Sequence, residues 1–246
     1  MKLAGKTALI TGGGSGFGAG IARKFSEEGA TVMIADVDSA SAEEVAGDIG
    51  GFAVEADISS GDSVERMAGE AANRLGDIDI LVNNAGITHL PTPLDEIPED
   101  EFDRVFAVNC KSVYLTSKHF VPKMKSRGGG AILNIASTAG VSPRRNLSWY
   151  NASKGWMITA TLTMAIELAE HGIRVNALTP VAGETPLLKR FLGEDTPEMR
   201  SKFLATIPLG RFSAPEDIGN AACFLCSDEA SLITGAALNV DGGRCI

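Results

Sequence analysis

The stretch Thr11-Gly12-Gly13-Gly14-Ser15-Gly16-Phe17-Gly18 follows an apolar run of strand length at 7–11 and precedes a helix pattern that begins near Ala19. Glycines at a junction of strand and helix let the backbone approach a pyrophosphate, and the free N–H groups and dipole of the helix N-terminus favour an anion there. The spacing is Gly-x-x-x-Gly-x-Gly over Gly12, Gly16 and Gly18, with no Gly-x-Gly-x-x-Gly in the segment. In a chain with 28 glycines such a spacing is weak by itself, and its place between strand and helix is what gives it meaning. Asp36 ends the second apolar run, 18 residues beyond Gly18. A carboxylate there accepts hydrogen bonds from an adenosine ribose and repels a 2′-phosphate. No Arg or Lys lies in the turn or directly after Asp36 to offset that repulsion, so the sequence predicts NAD over NADP.

Working outward, strand-length apolar runs recur at 31–35, 51–55, 78–82, 131–136, 173–178 and 237–240, with helix-patterned segments such as 19–28, 63–75 and 150–170 between them. Continuous apolar strands imply burial on both faces. The alternation reads as repeated βαβ units. The expected fold class is therefore α/β, a Rossmann-type doubly wound parallel sheet of seven strands with helices on both faces. No linker or low-complexity tract interrupts it, so residues 1–246 read as a single domain. Irregular stretches at 88–98 and 182–211 follow strand ends, where an open α/β sheet binds its ligands.

The net charge of −9, from 22 basic and 31 acidic residues, is a poor match to the basic footprint of a nucleic-acid or membrane-surface binder. The start of the chain carries no apolar targeting segment, and the cytoplasm is the expected location. Cys110, Cys223, Cys226 and Cys245 are too few and scattered for a disulfide framework. Cys223 and Cys226 form a C-x-x-C inside an apolar run and read as core, and no spacing suggests a metal site.

Ser137 follows the fifth run, and a helix beginning near Tyr150 carries Lys154 one turn later. That spacing puts phenol and ammonium on one helix face. A nearby cation favours phenolate and suits the phenol to exchange a proton with an alcohol or carbonyl, while a serine hydroxyl holds the substrate oxygen. The spacing does not choose its own residue, because both tyrosines of the chain have Lys at i+4: Tyr150 with Lys154, and Tyr114 with Lys118. Tyr114 has no strand-end serine before it and reads as a packing or interface residue.

Taken together, these features resemble the short-chain dehydrogenase/reductase family in its form of roughly 250 residues, over 6–243. Thr11 with Gly12, Gly16 and Gly18 matches the family's cofactor turn, Asn83-Asn84-Ala85-Gly86 its strand-four motif, and Asn109, Ser137, Tyr150 and Lys154 its catalytic tetrad. The resemblance implies Tyr150 as general acid/base, Ser137 as the group orienting the substrate oxygen, Lys154 on the nicotinamide ribose, and Asn109 holding a proton-relay water. It also implies cofactor contacts from Ser15 and Phe17 of the turn, from Asp57 and Ile58 near the adenine, and from Asn84, Ala85, Gly86, Tyr150, Pro180 and Thr185. One departure stands out: Val181 occupies the place of the family's glycine after Pro180, and a glycine appears two positions later as Gly183.

For the substrate, Arg144, Arg145 and Trp149 lie between Ser137 and Tyr150, His89 follows the strand-four motif, and Lys189-Arg190 come later. Basic groups near the site of an acidic protein suggest a carboxylate, phosphate or sulfonate. The blander alternative, a solvated or subunit-facing surface, is the reading the sequence favours for the arginines. Segment 187–204 reads equally as a helical lid or a fixed amphipathic helix. The expected activity is hydride transfer between NAD(H) and a small polar secondary alcohol or ketone such as a polyol, sugar or hydroxy acid. A 3-oxoacyl thioester reductase is the enzyme alternative, and a non-catalytic dinucleotide sensor or scaffold the alternative of another class. The family resemblance further implies a homotetramer through helices around 109–125 and 150–170, with Tyr114, Phe120, Trp156 and Met164 as apolar contacts.

Overall fold

Successive side chains of a strand point to opposite faces, so an unbroken apolar strand needs cover on both. In the computed structural model, which describes residues 1–246, strand β1 (Thr7–Thr11) sends Ala8 and Ile10 into one core and Leu9 into another. Its neighbour β2 (Thr31–Asp36) divides likewise, Val32 and Ile34 against Met33. The remaining strands are β3 (Phe52–Glu55), β4 (Ile80–Asn83), β5 (Gly130–Ile135), β6 (Ile173–Pro180) and β7 (Ala237–Val240). All pair in parallel in the order β3-β2-β1-β4-β5-β6-β7. The expected fold class therefore holds.

Helices cover the two faces. Helix α1 (Gly16–Glu27) supplies Ile21 and Phe25 to the first core, together with α2 (Ser39–Ile49). Helix α3 (Gly61–Leu75) supplies Val64 and Met67 to the second. A long helical run then comprises α4 (Glu99–Phe106), a π-turn (Ala107–Lys111) and α5 (Ser112–Arg127), and it is followed by α6 (Ser148–Leu168). Two short helices, α7 (Leu187–Leu192) and α8 (Pro197–Leu204), precede α9 (Pro215–Cys226). Segment 187–204 is thus not one helix but two, separated at Gly193, where φ is +88°. Cys223 and Cys226 lie buried on α9 in the first core, where burial pushes the Cys226 thiol up to about 12.

The two edge strands differ from the expectation of burial on both faces: Ala237, Leu238 and Asn239 of β7 are exposed, and β3 is only half-buried. Each has a neighbour on one side alone. Among the residues proposed for subunit contacts, Tyr114 is 57% and Trp156 38% exposed. Phe120 departs from the expectation, being 4% exposed and packed in the second core. No helix is long and apolar enough to cross a membrane.

A buried polar chain fixes the sheet centre to its helices. Asn83 of β4 donates to Asn134 of β5 at 2.9 Å, Asn134 donates to Thr161 of α6 at 2.9 Å, and Thr116 of α5 donates to Asn83 at 2.8 Å. Leaving one such buried group without its partner costs about 1–3 kcal/mol, so the chain specifies how α5 and α6 sit against the strand ends.

Candidate active site

The strand order reverses direction between β1 and β4, and in open α/β sheets the crevice opens beyond the carboxyl ends of such a pair. Here it is a cleft of about 650 Å³. Its floor is the glycine-rich turn, braced from β4. The Asn84 side chain donates to Thr11 O at 2.9 Å and Gly12 O at 2.8 Å, while Thr11 Oγ1 accepts from the N–H groups of Asn84 and Ala85 at 3.1 and 3.2 Å. The two loops touch so closely that a Cβ on Gly12 would lie 2.7 Å from Ala85 Cα, and one on Gly18 would lie 2.1 Å from Gly12 O. Ser15, Gly16 and Phe17 line the cleft, whereas Gly18 is buried beneath the turn.

Asp36, at the end of β2, accepts from Gly14 N–H at 2.9 Å and Asp38 N–H at 3.1 Å through different oxygens. A carboxylate has about four acceptor sites, so it retains capacity for ribose hydroxyls. Its cleft neighbour is Val37, not a cation. Asp57 and Ile58 line the same end, and Asp57 Oδ1 accepts from Ser59 N–H at 2.9 Å. Pro180 and Thr185 form the facing wall. The displaced glycine has a local reason there: a Cβ on Gly183 would lie 2.3 Å from the Phe17 ring, so only glycine lets that ring rest against the loop, and Val181 is buried beside it. This cradle fits a dinucleotide.

At the opposite end Ser137, Tyr150 and Lys154 all line the cleft. Ser137 caps a short 3-10 turn and accepts from Ala139 N–H at 3.1 Å. Tyr150 is 5% exposed and meets the Phe191 ring edge-on at 5.9 Å. Lys154 Nζ donates to Ile135 O at 2.8 Å and lies 6.0 Å from the Tyr150 ring centroid. The cation expected to lower the phenol's pKa is present, yet burial dominates and holds Tyr150 above its ordinary value, with a hydrogen bond from Ser137 acting the other way. Burial also pulls Lys154 down to about 8 from 10.5.

That shift has a signed consequence. Between about 8 and 10.5 the unfolded chain binds more protons at this lysine than the folded one. Stability therefore gains from Lys154 as pH climbs through that window, and Lys154→Met lacks the gain. Thermal melts of both proteins across the window check it; parallel curves count against the assignment.

Asn109 sits on the π-turn, fully buried and off the cleft wall. Both of its N–H donors are used, to Ile87 O and Ser153 Oγ, and its oxygen accepts from Ile87 N–H, all at 2.9 Å. It therefore ties the loop after Gly86 to α6. Of the six residues considered for substrate contact, Arg190 lines the cleft, while Lys189, His89, Arg144, Arg145 and Trp149 are set back from it. His89 is buried with Nδ1 on Leu90 O at 2.7 Å, Arg145 is exposed, and Trp149 packs edge-on against Phe102. Arg144 stacks on Phe191 at 4.6 Å and Phe203 at 5.1 Å, behind the wall that Phe191 makes. Instead the cleft is lined by Ile87, Leu188 and Phe191, and by Arg104 and Arg190. Arg104 carried no sequence signal beyond an i,i+3 pairing with Glu101.

A family model described as Enoyl-(Acyl carrier protein) reductase matches residues 12–244. The chain is 46% identical to 4-formylbenzenesulfonate dehydrogenase of Comamonas testosteroni, covering 99% of both. A crystal structure of 3-ketoacyl-(acyl-carrier-protein) reductase from Brucella melitensis complexed with NADH superposes with TM-score 0.95 at 51% identity, covering 99% of this chain and 100% of that one. One of a short-chain type dehydrogenase/reductase from Mycobacterium marinum gives 0.91 at 35%, covering 99% and 96%. The chain belongs to the short-chain dehydrogenase/reductase family. It is an oxidoreductase that acts on CH–OH groups with a nicotinamide dinucleotide.

Proposed function

We propose that the protein is an NAD-dependent dehydrogenase/reductase of a small polar secondary alcohol or its ketone, a polyol, sugar or hydroxy acid, anionic members included. The observation that carries this reading is the meeting of Ser137, Tyr150 and Lys154 at one end of a cleft whose other end holds Asp36. When bound, the nicotinamide supplies the hydride donor or acceptor. Ser137 Oγ holds the substrate oxygen against Tyr150. In reduction the Tyr150 phenol, the form its burial favours, gives its proton to the carbonyl oxygen, and in oxidation the phenolate takes that proton back from the hydroxyl. Lys154 binds the ribose and stabilises the phenolate, and Asn109 holds the loop that keeps Lys154 and Gly86 in register. The aryl sulfonate in the name of the Comamonas relative supports an anionic substrate. Initial rates with NAD over a panel of neutral and anionic secondary alcohols test the reading; no oxidation of any of them sinks it.

The name of the Brucella neighbour favours a second reading, reduction of a 3-oxoacyl thioester. That neighbour is itself complexed with NADH, so the NAD preference expected from Asp36 suits both readings, and the substrate separates them. Asp36→Ala is expected to narrow the ratio of kcat/KM for NAD to that for NADP by at least about tenfold, because the 2′-phosphate no longer meets a carboxylate. A wild type as efficient with NADPH counts against the role of Asp36, and reduction of a 3-oxoacyl thioester faster than any small ketone gives the second reading the advantage.

Residues 1–246 act, in this reading, as one domain of a cytoplasmic homotetramer, the unpaired cysteines fitting a reducing compartment. The exposed Tyr114 and Trp156, joined by Leu162 and Ile166 of α6, offer the apolar contact surface. Sedimentation at micromolar concentration is expected to give a tetramer; a monomer refutes it.

A further inference from the structure

At one corner of the cleft two arginines from distant elements share a single carboxylate. Arg104 of α4 donates to Glu101 through Nε and Nη2, both at 2.8 Å, and Arg190 of α7 donates to the same carboxylate through Nη2 at 2.6 Å. Arg190 Nε also donates to Thr88 O at 2.6 Å, which fixes the guanidinium against the loop that follows Gly86. Both arginines line the cleft and both side chains are nearly half exposed. Each keeps its Nη1 free of any protein partner.

Within the trio two cations share one anion; Glu99, Asp100 and Asp103 of the same helix are exposed and do not line the cleft, so among the residues of this corner that face the cleft the balance is cationic. The wall that Tyr150 shares with this corner is apolar, built from Ile87, Val181, Leu188 and Phe191. A cleft with a proton-exchanging phenol, an apolar wall and a surplus cation suits a compact apolar body with an alcohol at one place and an anion at another. The planar forks of two guanidiniums match the oxygens of a carboxylate or sulfonate. Because the existing pairs are partly exposed, the attraction to Glu101 is modest, and an incoming anion competes for it.

We infer that Arg190 and Arg104 recognise the carboxylate or sulfonate of an anionic substrate, with Glu101 holding the two guanidiniums in place until that anion shares them. The inference rests on the dehydrogenase reading above and names its substrate class. Arg144 is excluded from the role by its stacking on Phe191 and Phe203. Lys189, next in sequence to Arg190, is exposed and does not line the cleft.

The probes are benzoate and its neutral isostere benzamide, titrated calorimetrically into the protein alone and saturated with NADH. Wild type is expected to bind benzoate at least about tenfold more tightly than benzamide, as charged hydrogen bonds imply. Arg190→Met brings the two affinities within about threefold of each other, and Arg104→Met moves them part of the way. Glu101→Gln keeps an oxygen to which the guanidiniums donate but removes the competing charge, and tightens benzoate, an outcome that a purely structural trio does not give. Lys189→Met removes the same charge outside the cleft and leaves the selectivity in place. Equal affinity for both probes in wild type, an unchanged ratio in Arg190→Met, or weaker benzoate binding in Glu101→Gln overturns the inference. Selectivity that follows Arg190 while no alcohol is oxidised leaves this site standing and removes the dehydrogenase reading. Oxidation of neutral alcohols with no preference for benzoate does the reverse.

Discussion

Tyr150→Phe is expected to lower turnover by roughly 10²-fold or more, the usual scale for losing a positioned general acid/base. The substitution keeps the ring, so the edge contact with Phe191 at 5.9 Å and the packing around it persist. NADH affinity should change little, since the glycine turn, Asp36 and Lys154 are untouched. Tyr114→Phe is the control that the chain itself provides. Tyr114 has the same lysine spacing, yet it is 57% exposed on α5 and does not line the cleft, whereas Tyr150 does. Its rate should stay near wild type, with any effect confined to assembly. Initial rates together with a fluorescence titration of NADH separate the two cases. Loss of turnover in folded Tyr114→Phe, with Tyr150→Phe still active, would move the site to the wrong helix for every role given to Ser137 and Lys154.

The two tyrosines also show what the sequence carried. Their local pattern is identical, and only the strand-end serine before Tyr150 separated them; the structure agrees with that context by putting Tyr150 on the cleft and Tyr114 on the outside. The sheet was legible because two-sided burial leaves an unbroken apolar run, as in Leu9 and Ile10 of β1. The same logic misread β7, since an edge position is a property of strand order and not of composition. The basic corner was legible only in part: Arg190 was singled out as a basic residue near the site, but its partners were not. Arg190 and Glu101 are 89 residues apart, and nothing local in either segment announces the partner. Burial was the other missing quantity: Tyr150 and Lys154 do share a helix face, but desolvation shifts each toward its neutral form, and a spacing rule carries no information about water.

Close approach at the glycine turn gives the second large effect. Gly18→Ala places a Cβ 2.1 Å from Gly12 O and 2.5 Å from Asn84 Nδ2, closer than real Cβ contacts come. One neighbour is backbone, and the other is the amide that braces the turn through Thr11 O and Gly12 O, so neither yields without moving the turn itself. Moving the turn takes its N–H groups off the pyrophosphate, and one such charged hydrogen bond is worth about 1.5–3 kcal/mol, so NADH affinity is expected to fall by roughly 10- to 10²-fold. Overpacking also lowers stability by about 1–3 kcal/mol. Gly69→Ala is the matched control: it lies in α3 with nothing within 4 Å of a Cβ, and the helix gains about 0.5–1 kcal/mol from losing a glycine. Its melting temperature should rise and its NADH affinity should not move. Calorimetric titration and thermal melts read both quantities for both variants. NADH bound by Gly18→Ala as tightly as by wild type would mean that the turn is not where the dinucleotide sits.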